Sequence, residues 1–365
     1  MIQTIFILLF GLMILTGCSM KPPTPTTSFI PNSSLPLASP TPAPQLTSSR
    51  KGPDAFEQNK RLGRGVNLGN ALEAPKEGEW GVTLQEEYFN LIQSAGFDSV
   101  RIPIRWSTHA SQASPYTIEA AFFERVDWAV DQAIQNNLQV VINMHHYEEI
   151  FTDPAGHQER YLALWKQIAA HYKDYPDNLV FEILNEPHDK LTAPLWNDLL
   201  VKALAVVRQT NPERNVIIGP AEWNSLYKLS DLRLPEDDRQ LIVTFHYYQP
   251  FQFTHQGAEW ADGSEAWLGT TWTGTPAQEK ALERDLDLAA GWAEKNNRPL
   301  YLGEFGAYNK ADMDSRARWT AAVARQAEKR GMSWAYWEFC AGFGVYDPQL
   351  KIWINPLLNA LIPPQ

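Results

Sequence analysis

Only two cysteines, Cys18 and Cys340, occur in 365 residues, so no disulfide framework can be read from the chain. Cations are outnumbered, with 31 Lys and Arg against 42 Asp and Glu, for a formal charge of -11. Nucleic-acid binders need clustered cations to displace counterions from phosphates, so that class is excluded and a neutral or basic partner is left. No G-x-G-x-x-G turn follows the first strand-like run of the folded part, which removes the usual reason to expect a nucleotide. The apolar run over residues 5 to 15 is too short to cross a bilayer core of about 30 Å as a stable helix. The first 53 residues contain no acidic side chain, so every carboxylate side chain belongs to residues 54–365.

What is present divides the chain into three. The short apolar run has the length of a signal-peptide core, and it ends in Leu15-Thr16-Gly17-Cys18, which resembles the lipobox of bacterial lipoproteins. Residues 1–18 are therefore expected to be a lipoprotein signal peptide with Cys18 as its lipidated residue. The n-region departs from the pattern in carrying neither Lys nor Arg. The mature chain is expected on the cell surface or periplasmic side, touching membrane through that lipid alone, with plain secretion as the alternative. Residues 19–53 hold nine prolines among Thr, Ser and Ala, a composition that cannot bury a core and reads as a linker. Residues 54–365 remain as one domain. The 14 Trp, 13 Tyr and 16 Phe of the whole chain suit a large core or a groove with stacking platforms.

Eight short apolar or β-branched runs recur along that domain: 64–68, 99–104, 139–145, 179–185, 216–221, 241–247, 300–305 and 333–338. Helix-like stretches lie between them at 84–95, 119–136, 158–173, 194–209, 277–296 and 314–330, with caps or breakers at Thr83, Pro194 and Gly331. Continuous apolar strands alternating with helices fit a parallel sheet, and eight such units close into an α/β (β/α)8 TIM barrel. An open doubly wound sheet is the alternative.

Barrel chemistry sits at the C-terminal ends of the strands, and polar residues gather there. Asn67, Asn70 and Glu73 follow the first strand, Arg101 lies on the second, and Asn143, His145 and His146 end the third. Asn185-Glu186-Pro187 ends the fourth, Glu222-Trp223 the fifth, and His246, Tyr247 and Tyr248 the sixth. Glu304 ends the seventh strand and Trp337-Glu338 the eighth. Glu186 and Glu304 would face one another across the ring. Paired carboxyls about 5 to 5.5 Å apart serve retaining glycosidases and a wider gap serves inverting ones. Taken alone, two such Glu more often form a structural ion-pair network, here with Arg101.

The segments Gly65-Val66-Asn67-Leu68-Gly69-Asn70, Arg101-Ile102-Pro103, Asn143-Met144-His145-His146-Tyr147, Leu184-Asn185-Glu186-Pro187, His246-Tyr247-Tyr248, Gly303-Glu304-Phe305-Gly306 and Trp334-Ala335-Tyr336-Trp337-Glu338 together resemble glycoside hydrolase family 5 over about residues 56 to 360. Within it the chain most resembles the endo-β-1,4-glucanases (cellulases) of thermophilic bacteria that also accept mannan. That resemblance implies Glu186 as acid/base and Glu304 as nucleophile. It implies substrate binding by Arg101, His145, Asn185, His246, Tyr248 and Trp337, and by Asn70, Glu73 and His146 on the subgroup's pattern. Val66 stands where many family cellulases have Trp, a change attributed here to packing.

Each role has a physical reason. The acid must stay protonated near neutrality, which burial and an opposing carboxylate promote. The nucleophile must be ionised, which the Arg101 guanidinium and the Tyr248 hydroxyl favour. Asn185 can bond the sugar 2-hydroxyl as the oxocarbenium-like transition state develops. The first strand offers Asn where metal-dependent barrel hydrolases place His-x-His, so no metal or other cofactor is expected. Trp337 is read as a stacking platform, whereas Trp223, Trp260, Trp267 and Trp272 are divided between loop packing and the groove. Trp128, Trp165, Trp196, Trp292 and Trp319 fall in helical stretches and are assigned to core or helix-sheet packing. The long stretch from Gln249 to Pro276 is read as a groove wall.

The expected activity is retaining endo-hydrolysis of β-1,4-glucan by a monomer, with β-1,4-mannan or mixed-linkage glucan as the alternative substrate. A sugar-binding lipoprotein without catalysis and a metal-dependent hydrolase are the competing classes. No carbohydrate-binding module is visible, which favours soluble or amorphous chains.

Overall fold

The computed structural model describes residues 52–364; Cys18, the signal peptide and all but the last two residues of the linker lie outside them. The eight expected runs form β1 (Arg64–Asn67), β2 (Ser99–Ile102), β3 (Gln139–Asn143), β4 (Leu179–Glu182), β5 (Val216–Ile218), β6 (Leu241–His246), β7 (Leu300–Phe305) and β8 (Ser333–Tyr336). They pair in chain order, all parallel, and β8 closes back on β1. The barrel is the (β/α)8 fold and not an open sheet. Most strands stop one to three residues short of the expected end, because the polar residues there leave the ladder and turn into the mouth.

The helices in chain order are α1 (Ala55–Leu62), α2 (Glu86–Ser94), α3 (Ala120–Gln135), α4 (Glu148–Thr152), α5 (Pro154–His171), α6 (Ala193–Arg208), α7 (Ala221–Asn224), α8 (Phe251–Thr254), α9 (Pro276–Asn296), α10 (Met313–Lys329) and α11 (Asn355–Leu361). Local chemistry fixes several. In α3, Phe122, Val126, Ala129, Val130 and Ala133 recur at three- and four-residue steps and form the buried face. Thr275 and Gln278 make a reciprocal capping box ahead of α9, with Pro276 in the first turn. Thr83 is not a cap, since α2 starts after Gln85. The βα alternation is also uneven: β5 is followed only by the single turn α7 and a 3-10 stretch, Leu226–Asp231.

The barrel interior is layered. Val141, Val180, Ile217, Ile242, Tyr301 and Ala335 fill it together with Ala55 and Leu62 of α1. Helix α1 was not anticipated. It closes the floor, held by Asn59 Nδ2 donating to the Leu300 carbonyl at 3.0 Å, Ser333 Oγ to Asn59 Oδ1 at 2.6 Å, and Ser99 Oγ to the Leu62 carbonyl at 2.6 Å. Residues two apart on a strand share a face, so the layer above this apolar one is Asn143, Glu182, Thr244 and Gly303, joined by Asn67 and Arg101. Val66 points the other way and is buried in the core between sheet and helices, in keeping with the packing role given to it. Among the described residues no helix is long and apolar enough to cross a membrane.

Candidate active site

Arg101 is the centre of the polar layer. Nε and Nη2 hold Glu182 bidentately at 2.6 and 2.7 Å; Nη1 donates to Asn67 Oδ1 at 2.9 Å and Glu304 Oε1 at 2.7 Å; Nη2 also donates to Asn185 Oδ1 at 2.7 Å. All five guanidinium protons therefore meet protein oxygens. Burial opposes the charge, yet Glu182 and Glu304 raise the Arg101 pKa above its ordinary value. Arg101, expected to meet substrate, is wholly buried and does not line the cavity. Its role is to hold what does. With Oδ1 of Asn185 occupied, the Nδ2 protons are the ones left for the cavity.

Strand geometry brings Glu304 into place. On β7, Tyr301 and Gly303 face inward, so regular alternation would send Glu304 outward. The β6–β7 register shifts between Phe245 and His246, and the β7–β8 register between Leu302 and Phe305. Such irregularities re-aim side chains, and Glu304 comes to pair with His246 at the mouth. Tyr248 Oη donates to Glu304 Oε2 at 2.9 Å. Burial raises the Glu304 pKa, while His246, Arg101 and Tyr248 pull it back.

Glu186 stands opposite, after β4, with a left-handed backbone at φ 44°. His246 Nδ1 lies 2.6 Å from its Oε1 and 3.6 Å from Glu304 Oε2. One carboxylate oxygen each of Glu186 and Glu304 and a ring nitrogen of His246 all lie within 4.8 Å of one another. Burial pushes the Glu186 pKa up to about 7 against the opposing pull of Arg101, His188 and His146. Burial also lowers His246, to about 4, so its imidazole is neutral near pH 7. Two carboxyls with different protonation habits thus face one space.

Above them opens a cavity of about 1040 Å³. Asn70, Glu73, His145, His146, Asn185, Glu186, His246, Tyr248, Glu304 and Trp337 all line it. Asn143 orients His145: its Oδ1 accepts from the Ile104 amide at 3.1 Å, and its Nδ2 lies 3.0 Å from His145 Nδ1. Nδ1 is then the acceptor, and Nε2–H faces the groove. Trp337 stacks parallel to His145 at 5.5 Å and 8° over Gly69, where a Cβ would lie 3.1 Å from the indole. Glu73 accepts the amides of Asn70 and Ala71, and burial lifts its pKa to about 8. His146 is half-exposed, 3.3 Å from Glu148 and edge-on to Trp80 at 5.6 Å.

The Gln249–Pro276 loop contributes Phe251, His255, Trp260 and Trp267 to the cavity, and Trp223 does so from α7. Trp223 and Trp260 are 53% and 61% exposed, whereas Trp272 is 2% exposed and packs in the core. Sequence reading missed Trp80, which enters from the β1–α2 loop, and Glu182, a carboxylate inside an apolar strand. It also missed the Trp223 ring stacked on His188 at 5.0 Å and 14°; Trp80 lies in a loop that no periodicity marks.

The fold and the site together define a (β/α)8 barrel with two carboxyls converging on an aromatic groove. The chain matches cellulase (glycosyl hydrolase family 5) over residues 62–342 and belongs to that family. It is 38% identical over 324 residues to Endoglucanase H of Acetivibrio thermocellus, covering 87% of this chain and 35% of that one. It is 30% identical over 325 residues to Endoglucanase B of Clostridium cellulovorans, covering 81% and 72%. The chain thus spans about a third of the first relative's length and most of the second's. Structures of Thermotoga maritima Cel5A with mannotriose and with cellobiose superpose at TM-score 0.84, with 56% and 57% identity over 85% of this chain and 100% of theirs.

Proposed function

We propose that this protein hydrolyses internal β-1,4 bonds of glucan chains with retention, Glu304 acting as nucleophile and Glu186 as acid/base. The observation that carries the reading is the spacing: oxygens of Glu186 and Glu304 lie within 4.8 Å, with His246 in the same cluster. So close an approach suits the direct attack on the anomeric carbon that a retaining mechanism needs. Glu304, ionised and held by Arg101 and Tyr248, attacks C1 while Glu186 gives its proton to the departing glycosidic oxygen. The sugar is then bonded to Glu304 Oε and Glu186 is a carboxylate. Glu186 next takes a proton from water, whose oxygen attacks C1 and releases Glu304. Each displacement inverts C1, so the product keeps the β configuration.

The endoglucanase relatives support glucan as substrate and internal attack, and the groove lined by Trp80, Trp223, Trp260 and Trp337 suits several sugar rings in a row. Mannan is a second reading, favoured by the mannotriose complex of the Thermotoga maritima relative. We further propose lipid attachment at Cys18, supported by Leu15-Thr16-Gly17-Cys18 and the Pro-rich stretch after it. Cys18→Ala should release active protein from the membrane fraction, and activity that stays with membranes would refute the anchor. The mechanism is tested by following the first anomer released from a soluble cello-oligosaccharide by NMR, before mutarotation. A β product is expected; an α product would mean inversion and remove Glu304 as nucleophile.

A further inference from the structure

His246 has two ring nitrogens, and the one turned away from the carboxyls is held by a residue that neither the motifs nor the mechanism includes. Beyond β5 the chain winds the wrong way: Glu222, Trp223 and Asn224 have φ of 57°, 57° and 52°, three consecutive side-chain-bearing residues in the left-handed region. The turn delivers the Asn224 side chain into the protein, where it is wholly buried. Its amide occupies the space Gly219 leaves free, since a Cβ at Gly219 would stand 2.0 Å from Asn224 Oδ1 and 2.5 Å from Cγ. Asn224 Nδ2 lies 3.3 Å from His246 Nε2, and Asn224 Oδ1 has no partner.

We propose that Asn224 is a positioning residue for the acid/base: by donating to His246 Nε2 it fixes the imidazole tautomer whose Nδ1 proton points at Glu186. The inference rests on the reading of Glu186 as acid/base. A neutral imidazole donating from Nδ1 stabilises the Glu186 carboxylate, the form left once the leaving group has its proton and the form that must deprotonate water. The opposite tautomer would turn a lone pair toward Glu186, accept its proton and favour the acid, slowing the second displacement. The other charged groups around the pair approach from elsewhere. Glu304 on β7, Arg101 on β2 and Glu182 on β4 act on His246, and Arg101, Glu182, His146 and His188 act on Glu186. Among the described residues, Asn224 is the hydrogen-bond partner of Nε2.

Two variants separate this role from simple packing. Asn224→Gly removes the amide at a position whose left-handed backbone glycine accepts. Gly219→Ala keeps Asn224 but drives its amide out of place. Both should move the basic limb of the pH profile of kcat/KM upward by about one unit, the scale of one charge-assisted hydrogen bond. Both should slow release of the glycosyl-enzyme about tenfold, seen as a burst of phenol from an activated aryl β-cellobioside. Unmoved limbs and no burst in both variants, with only lower rates or melting temperatures, would overturn the proposal. Should either variant fail to fold, 15N-histidine spectra of the wild type still decide: an unprotonated Nε2 on His246 supports it, and Nε2–H refutes it. If Glu186→Ala shows no dependence on leaving group, the acid/base reading fails first; if it does and the Asn224 and Gly219 variants behave as wild type, Asn224 alone is wrong.

Discussion

Arg101 grips Glu182 with two nitrogens, Nε at 2.6 Å and Nη2 at 2.7 Å, and reaches Glu304 with only one, Nη1 at 2.7 Å. The buried cation that holds Glu304 is thus shared with a carboxylate that never sees the groove. Replacing Glu182 by Gln keeps the shape but removes the competing charge, so Arg101 acts more strongly on Glu304. The acidic limb of activity should then move to lower pH. The amide also presents a donor to a guanidinium that can only donate, so kcat should fall roughly tenfold or more and stability should drop by about 3 to 5 kcal/mol, as for a broken buried pair. A limb that moves upward, measured on kcat/KM, would contradict this sharing.

In the proposed mechanism Glu186 donates a proton that only poor leaving groups need. Glu186→Ala should therefore cost roughly 10² to 10⁴ in rate on cello-oligosaccharides and far less in glycosylation by activated aryl glycosides, whereas Glu304→Ala should abolish turnover of both. In the wild type the rate should fall above pH about 7, where Glu186 loses its proton, and also at acid pH as Glu304 gains one. Steady-state assays with both substrate types across pH check the two limbs.

The same burial makes the fold sensitive to alkali. Glu73, Glu186 and Glu338 ionise at about 8, 7 and 7 in the folded chain, against an ordinary 4.5, because burial penalises their charge. From pH 4.5 upward the unfolded chain releases these protons while the folded one retains them, so stability is full below that range and lost as pH rises through 7 to 8. Glu186→Gln has no such proton to lose. Its melting temperature should decline less between pH 5 and 8 than that of the wild type, by calorimetry. Equal slopes would mean that Glu186 is not strained in this way.

Cys340 is free and buried, in the turn after β8. Its amide donates to Glu338 Oε2 at 2.8 Å, and burial drives the thiol pKa upward. The thiol should resist alkylation in the folded enzyme, and Cys340→Ser should leave the pH profile unmoved. Rapid modification with loss of activity would argue for a role we do not assign.

The strands were legible because buried parallel strands are continuous apolar runs, and the mouth because polar residues gathered where those runs end. What escaped depended on backbone direction. Glu182 sits inside the apolar run from Leu179 to Asn185; only the inward alternation of Val180 and Glu182, set against Arg101, marks it. Asn224 follows from a left-handed turn that no sequence pattern announces. Helix α1 was hidden because half of its buried residues, Gln58 and Asn59, are polar and present no apolar stripe to find.

That small helix also decides where mechanical load enters the molecule. Pro53 reaches the barrel at the pole opposite the groove, its carbonyl held by Asn215 Nδ2 at 2.9 Å and Gln240 Nε2 at 3.2 Å, and α1 then seats beneath the inner layer like a stopper. A pull applied at Pro53 would load this stopper and its side-chain clamps before it reached a barrel strand. The cavity lined by Glu186 and Glu304 lies at the other pole, away from the point where the chain enters the barrel.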